Sequence, residues 1–182
     1  TPGRLPGTFD TTLFDYDAES NLTHVTDPLN GVTRYDYVPG REGSLLRRVV
    51  DARHAGTNVG TQFTYDTLGR VTAIQVPGSP ARTFTYNDDG TLNTAVNARN
   101  QTTTFGYDNR ARLTSRQTPE GTFTYGYDDA GRLTRIEAPN GAIETRAYDA
   151  LDRLTQSVQT LPGVPGSFAI GYAYDANGNR TS

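Results

Sequence analysis

A tyrosine returns eight times along the chain, at Tyr16, Tyr37, Tyr65, Tyr86, Tyr107, Tyr127, Tyr148 and Tyr174. Five of the seven steps between them are 20 or 21 residues. Self-similarity at that period marks a repeat architecture, in which each unit buries its apolar face only against its neighbours. The two long steps run from Tyr37 to Tyr65 and from Tyr148 to Tyr174. Each holds a Pro/Gly-rich segment, residues 38–43 and 161–166, that reads as a lengthened loop rather than a new domain. The expected organisation is a lead-in over 1–13 and an array over 14–182 of about eight units, the last incomplete. Because the chain starts at Thr1 without a methionine and stops inside a unit, it is expected to belong to a longer polypeptide.

Within a unit, Phe123, Tyr125 and Tyr127 alternate with Thr122, Thr124 and Gly126. A period of two with β-preferring residues on both faces predicts a strand. An aromatic stands two places before the repeat tyrosine in seven units, at Phe14, Tyr35, Phe63, Phe84, Phe105, Tyr125 and Tyr172; Arg146 breaks the pattern before Tyr148. These pairs set two rings on one face of each strand, and the rings are expected to form a dry or mutually packed layer.

A tight turn follows. Asp66 with Gly69, Asn87 with Gly90, Asp128 with Gly131 and Asp175 with Gly178 share an Asx at the first place and a glycine at the fourth. The Asx side chain accepts from the turn backbone and glycine tolerates positive φ, as in a type I turn with a G1 bulge. Ser20, Ala111 and Asp152 hold the glycine place elsewhere, so those turns are expected to be strained or of another type. Second strands then begin at Leu22, Val71, Leu92, Leu113, Leu133 and Leu154, and several units close on a Pro with Gly or Asn-Gly. The fold class that follows is all-β: antiparallel β-hairpin repeats forming a curved meander, part of a shell or spiral, with no long helix.

Composition narrows the function. The formal net charge of -3 gives no electrostatic case for nucleic acid or an anionic membrane. All 17 basic residues are arginine, and cysteine is absent, so thiolate chemistry and disulfides are excluded. No apolar run approaches the roughly 18 residues of a spanning helix. Acidic pairs (Asp15 and Asp17, Asp88 and Asp89, Asp128 and Asp129, Asp149 and Asp152) lie at the turns, where Asx capping accounts for their period better than acid–base catalysis. Asp175, Asn177 and Asn179 imitate the start of a calcium loop without its distal glutamate. His24 and His54 stand apart, and the serines lack a nucleophile elbow. No catalytic residue, cofactor or metal site is therefore expected. Arg70, Arg112, Arg132 and Arg153 follow the turns and are expected to pair with turn carboxylates. Asn21, Asn100 and Asn179 match the glycosylation acceptor pattern, which arises readily in a chain rich in Asn and Thr.

The segments Tyr65-Asp-Thr-Leu-Gly-Arg-Val-Thr72, Tyr127-Asp-Asp-Ala-Gly-Arg-Leu-Thr134, Tyr148-Asp-Ala-Leu-Asp-Arg-Leu-Thr155 and Tyr174-Asp-Ala-Asn-Gly-Asn-Arg-Thr181 resemble the YD repeat. That repeat belongs to Rhs proteins, the B and C components of insecticidal toxin complexes, wall-associated proteins and teneurins. The resemblance implies a hairpin ribbon spiralling into a hollow shell that in bacterial relatives encloses a toxic domain, and a secreted or cell-surface location. Nothing here resembles the family's self-cleaving aspartate core. The expected function is thus a non-enzymatic wall segment that encapsulates a toxin or other cargo. Its partners would be flanking repeats and the enclosed chain. The alternative is an adhesive or filament-forming module binding glycans, cell surfaces or copies of itself. Open strands around Phe14 and Tyr16, and around Tyr172 and Tyr174, carry little charge and are expected to associate edge to edge.

Overall fold

A computed structural model describes residues 11–40 and 44–181. Among the described residues, fifteen strands pair in chain order in an antiparallel sheet. The chain divides into two compact units, residues up to Phe84 with Asn97–Arg99, and Thr85–Val96 with the residues from Asn100 on.

The first unit carries β1 (Leu13–Tyr16), β2 (Leu22–Thr26), β3 (Val32–Tyr37), β4 (Leu46–Val50), β5 (Thr61–Tyr65) and β6 (Val71–Gln75). β7 (Arg82–Tyr86) begins in this unit and ends in the second. The second unit continues with β8 (Leu92–Val96), β9 (Thr102–Tyr107), β10 (Leu113–Thr118), β11 (Gly121–Tyr127), β12 (Leu133–Glu137), β13 (Ile143–Tyr148), β14 (Leu154–Thr160) and β15 (Phe168–Gly171). Most odd-numbered strands end on a repeat tyrosine, and the even-numbered ones begin at the Leu or Val place.

The turns after Tyr16, Tyr65, Tyr86, Tyr107, Tyr127, Tyr148 and Tyr174 share one backbone geometry. The Gly131 N–H donates to the Asp128 carbonyl at 3.0 Å, and the Asp128 N–H to the Arg132 carbonyl at 3.0 Å. Gly131 has φ +89°, which a glycine adopts without steric cost. Ser20 (φ 66°), Ala111 (φ 58°) and Asp152 (φ 61°) hold the same left-handed conformation with the same hydrogen bonds. Of the two expectations for those turns, strain within a common type is the one observed. Ala111→Gly should therefore stabilise the chain by about 0.5–1 kcal/mol, the left-handed penalty less glycine's entropy cost. Urea melts of the two proteins test it.

Just beyond the turn the register slips by one. Gly126 lies opposite Arg135 but Tyr127 opposite Leu133, so Thr134 is an extra residue. Its hydroxyl donates to the Gly126 carbonyl at 3.2 Å, and Thr23 does the same to Asp15 at 3.2 Å. The threonine that follows leucine in these units thus serves a bulge.

Three expectations need correction. The rings do not form a dry layer: Val50 is the one buried apolar residue among those described. The repeat aromatics are half-buried, while Phe14 and Tyr16 are more than half exposed. A sheet face is buried by a second layer stacked on it, and here neighbouring strands cover the rings only from the sides. The strand assigned to Tyr172 and Tyr174 lies earlier, because β15 stops at Gly171 and Tyr174 makes an isolated bridge to Arg180. β4 escaped the sequence reading, as did a second lengthened loop after it, which carries a short 3-10 turn, Ala52–His54. Of the insertion at 38–43, residues 41–43 lie outside the described residues, as does 1–10 of the lead-in. β1 starts at Leu13, one residue ahead of the boundary expected at 14.

Val50 owes its burial to this second loop, whose turn contacts β3. The loop returns through Gly60, where a Cβ would collide with the Val49 carbonyl and sit 2.9 Å from a Val50 methyl. Gly60→Ala is expected to cost about 1–3 kcal/mol, the range for overpacking. A lowered Tm together with faster hydrogen exchange in β4 and β5 would show it.

Candidate functional site

The repeated residues converge at one end of each hairpin. In the second unit Asp128 Oδ1 accepts the Arg132 N–H at 2.9 Å, and Asp128 Oδ2 accepts Arg132 Nε at 2.7 Å. Asp108 with Arg112 and Asp149 with Arg153 repeat both bonds, as Asp66 with Arg70 does in the first unit. Asp17 and Asp175 bind an asparagine amide instead, from Asn21 and Asn179.

The arginine also reaches forward. Arg112 Nη1 donates to the Asp128 carbonyl at 3.2 Å, and its guanidinium lies 4.7 Å from the centre of the Tyr127 ring. Arg132 meets the Asp149 carbonyl at 2.9 Å, the Asp152 carboxylate at 2.8 Å and the Tyr148 ring at 5.1 Å. Arg153 meets the Asp175 carbonyl at 3.4 Å and the Tyr174 ring at 4.6 Å. Each guanidinium therefore joins its own turn to the next repeat by ion pair, hydrogen bond and cation–π contact.

The tyrosine reaches back. Tyr127 donates its hydroxyl to the Leu113 carbonyl at 2.9 Å, Tyr148 to Leu133 at 2.8 Å and Tyr174 to Leu154 at 2.8 Å. In the first unit Tyr37 donates to Leu22 at 2.9 Å and Tyr65 to Leu46 at 2.7 Å. The motif is a two-way latch between repeats. The sequence does carry a signal for it: a Tyr, never a Phe, holds the repeat place, whereas Phe is common two residues earlier.

Other candidates resolve locally. Both oxygens of Asp175 serve its own turn, taking the Asn177 and Asn179 amides. His54 Nδ1 lies 2.9 Å from Asp51, which also binds Arg53, and His24 contacts Thr23. Asn87 and Gly90 frame a variant turn in which Asp89 and Asn87 both bind the Thr91 hydroxyl. Phe63, Phe84, Phe105 and Tyr125 lie on β5, β7, β9 and β11, half-buried, and Tyr172 lies under the Arg180 guanidinium. Missed by sequence reasoning is a pair of arginines on Asp36: Arg48 at 2.8 Å and Arg34 at 3.0 Å, both also bound to Asn58 of the second loop.

Turn geometry sets the electrostatics. The Arg132 N–H, then its guanidinium, holds the Asp128 carboxyl below its ordinary range. Asp66, Asp108 and Asp149 are lowered chiefly by the equivalent arginine N–H. A carboxylate depressed on folding stabilises the fold above its unfolded pKa, near 4, and loses that contribution as pH falls through the folded value. Thermal stability should be flat from neutrality to about pH 5 and fall below about pH 4. In an Asp128→Asn, Asp149→Asn variant the acid fall should be shallower; a fall of unchanged steepness would contradict the assignment.

These latches define an array of YD hairpins. The chain matches the teneurin YD-shell family over residues 7–144 and belongs to it. Among solved structures it is similar to TcdB2-TccC3-TEV, with TM-score 0.62 and 16% identity over 93% of this chain and 11% of that one. The Photorhabdus luminescens Tc holotoxin pore with a mutant TccC3 matches at TM-score 0.63 and 16% identity, with the same coverage. The chain thus spans about a tenth of the length of these structures. No curated protein sequence matches it. Among the described residues no helix is long and apolar enough to cross a membrane.

Proposed function

We propose that the chain is a non-enzymatic wall segment of a YD shell, built to enclose a toxin or other cargo chain in a secreted or cell-surface protein. The observation that carries this reading is the latch. The turn carboxylates are engaged within their own turns, and the guanidiniums and phenols reach from one repeat to the next, where they stiffen a sheet. Flanking repeats and an enclosed polypeptide are the partners that such a wall needs. Electron cryomicroscopy of the natural protein that contains this segment tests it. The expected image is a closed wall that includes the segment, with density inside. A segment projecting as an extended ribbon would overturn it.

An adhesive or filament-forming role draws on the edges. Leu13, Phe14 and Tyr16 on β1 are 58%, 54% and 61% exposed, and Phe168 and Ile170 on β15 are 57% and 58% exposed. Such edges recruit strands. Sedimentation equilibrium of the chain should show weight-average mass rising with concentration. A monomer at all concentrations would remove this support.

A further inference from the structure

Three strands of the first unit and the second loop enclose a small cavity. His24 on β2 lies opposite Arg34 on β3, and Arg34 opposite Val50 on β4, so these side chains share one face of the sheet. Val32, two residues before Arg34 on the same strand, joins them. The second loop crosses this face and is fixed there by Asn58. Its side-chain oxygen accepts Arg34 Nη2 at 3.0 Å, and its carbonyl accepts Arg48 Nη1 at 3.1 Å. Ala55 and Gly56 of the loop complete a cavity of about 250 Å³ with His24, Val32, Arg34 and Val50.

We propose that this cavity binds a carboxylate carried on a short aliphatic stem. The charges favour an anion. Asp36 is one carboxylate shared by two guanidiniums, Arg48 at 2.8 Å and Arg34 at 3.0 Å, so the cluster keeps a positive surplus. Arg34 commits Nε and Nη2 to Asp36 and Asn58, while its Nη1 has no hydrogen-bond partner among the described residues. The His24 ring, held on the Thr23 hydroxyl through Nδ1 at 3.2 Å, offers its other nitrogen. Asp15, the opposing charge nearby, stands exposed on the far side of His24, where water weakens its field. A guanidinium meets a carboxylate through short charge-assisted bonds. The walls select the stem: Val32, Val50 and Ala55 are apolar, and a bare phosphate would leave them uncovered. The volume lies below the roughly 300–1,000 Å³ of sites for drug-sized ligands, which suits a stem of a few carbons. Two sources carry this chemistry, a free short-chain acid and the glutamate side chain of another polypeptide.

The test is a titration of the isotopically labelled chain with butyrate at constant ionic strength, followed by amide NMR shifts at His24, Arg34, Val50 and Gly56. Butyramide, inorganic phosphate and N-acetyl-glutamate amide are run alongside. The titration uses the chain by itself, so its outcome is independent of whether the parent protein forms a wall. Saturable shifts are expected with butyrate, and at least about tenfold weaker binding with uncharged butyramide, since bonds to a charged group are lost. Phosphate, without a stem, should also bind more weakly. N-acetyl-glutamate amide binding as tightly as butyrate would identify a polypeptide side chain as the source, and clearly weaker binding a free acid. Arg34→Gln should abolish the titration, though it also releases Asn58 of the loop. Ala55→Leu separates the two effects, because Ala55 is exposed with φ −52°, open to any side chain. The leucine should fill the cavity from its loop side and weaken butyrate binding several-fold, with Tm unchanged or raised. Equal binding of butyrate and butyramide, equal binding of butyrate and phosphate, or an unchanged titration in folded Ala55→Leu would overturn the proposal.

Discussion

Tyr127→Ala is expected to destabilise the chain by about 3 kcal/mol, at the low end of the range for truncating an aromatic because the ring is half-buried. Three contacts go together: the ring beneath Arg112, the cross-strand pair with Leu133, and the hydroxyl bond to the Leu113 carbonyl. Tyr127→Phe keeps the first two and should cost only about 1 kcal/mol, the net worth of one hydrogen bond. Urea unfolding of both variants separates packing from hydrogen bonding. If Phe cost as much as Ala, the hydroxyl would dominate and the ring's packing would count for little.

Thr124→Pro is expected to be at least as severe, about 3 kcal/mol or more, since proline removes a ladder donor and clashes with the strand. Thr124 is paired on both sides, opposite Ser115 and opposite Glu137. Its side chain is exposed, so a loss here reports on the ladder and not on packing. Thr124→Val at the same place keeps the N–H and should be within about 0.5 kcal/mol of the parent, as for most surface substitutions. Circular dichroism melts of the pair give the contrast. A tolerated proline would mean that β11 is not an interior strand.

The hairpins were legible because their signals are local. Alternation in 122–127 and the Asx-to-Gly spacing of 128–131 each specify backbone conformation within a few residues. Arg132 on Asp128 was within reach of the same reasoning, four residues apart on one turn. Its forward contact with Tyr148 was not, because that distance depends on how one hairpin lies on the next. Ring burial was overestimated for a related reason. Alternation says which face Phe105 and Tyr107 share, but not whether a second layer covers that face. At the second loop, Asp51 to Gly60, no period exists to read, and the burial of Val50 follows from a chain reversal that only coordinates reveal. Tyr172 misled because its spacing from Tyr174 fits the repeat while β15 ends before it.

The wall reading requires that neighbouring repeats be energetically coupled through the latch. A double-mutant cycle on Arg112 and Tyr127 measures that coupling. Arg112→Ala, Tyr127→Leu and the double variant are compared with the parent by Tm under identical conditions. The latch predicts that the double variant loses clearly less than the two single losses added, because the guanidinium and the ring stabilise each other across the repeat boundary. Losses that simply add would show that the two residues act separately, and would contradict the account of how the repeats become a wall.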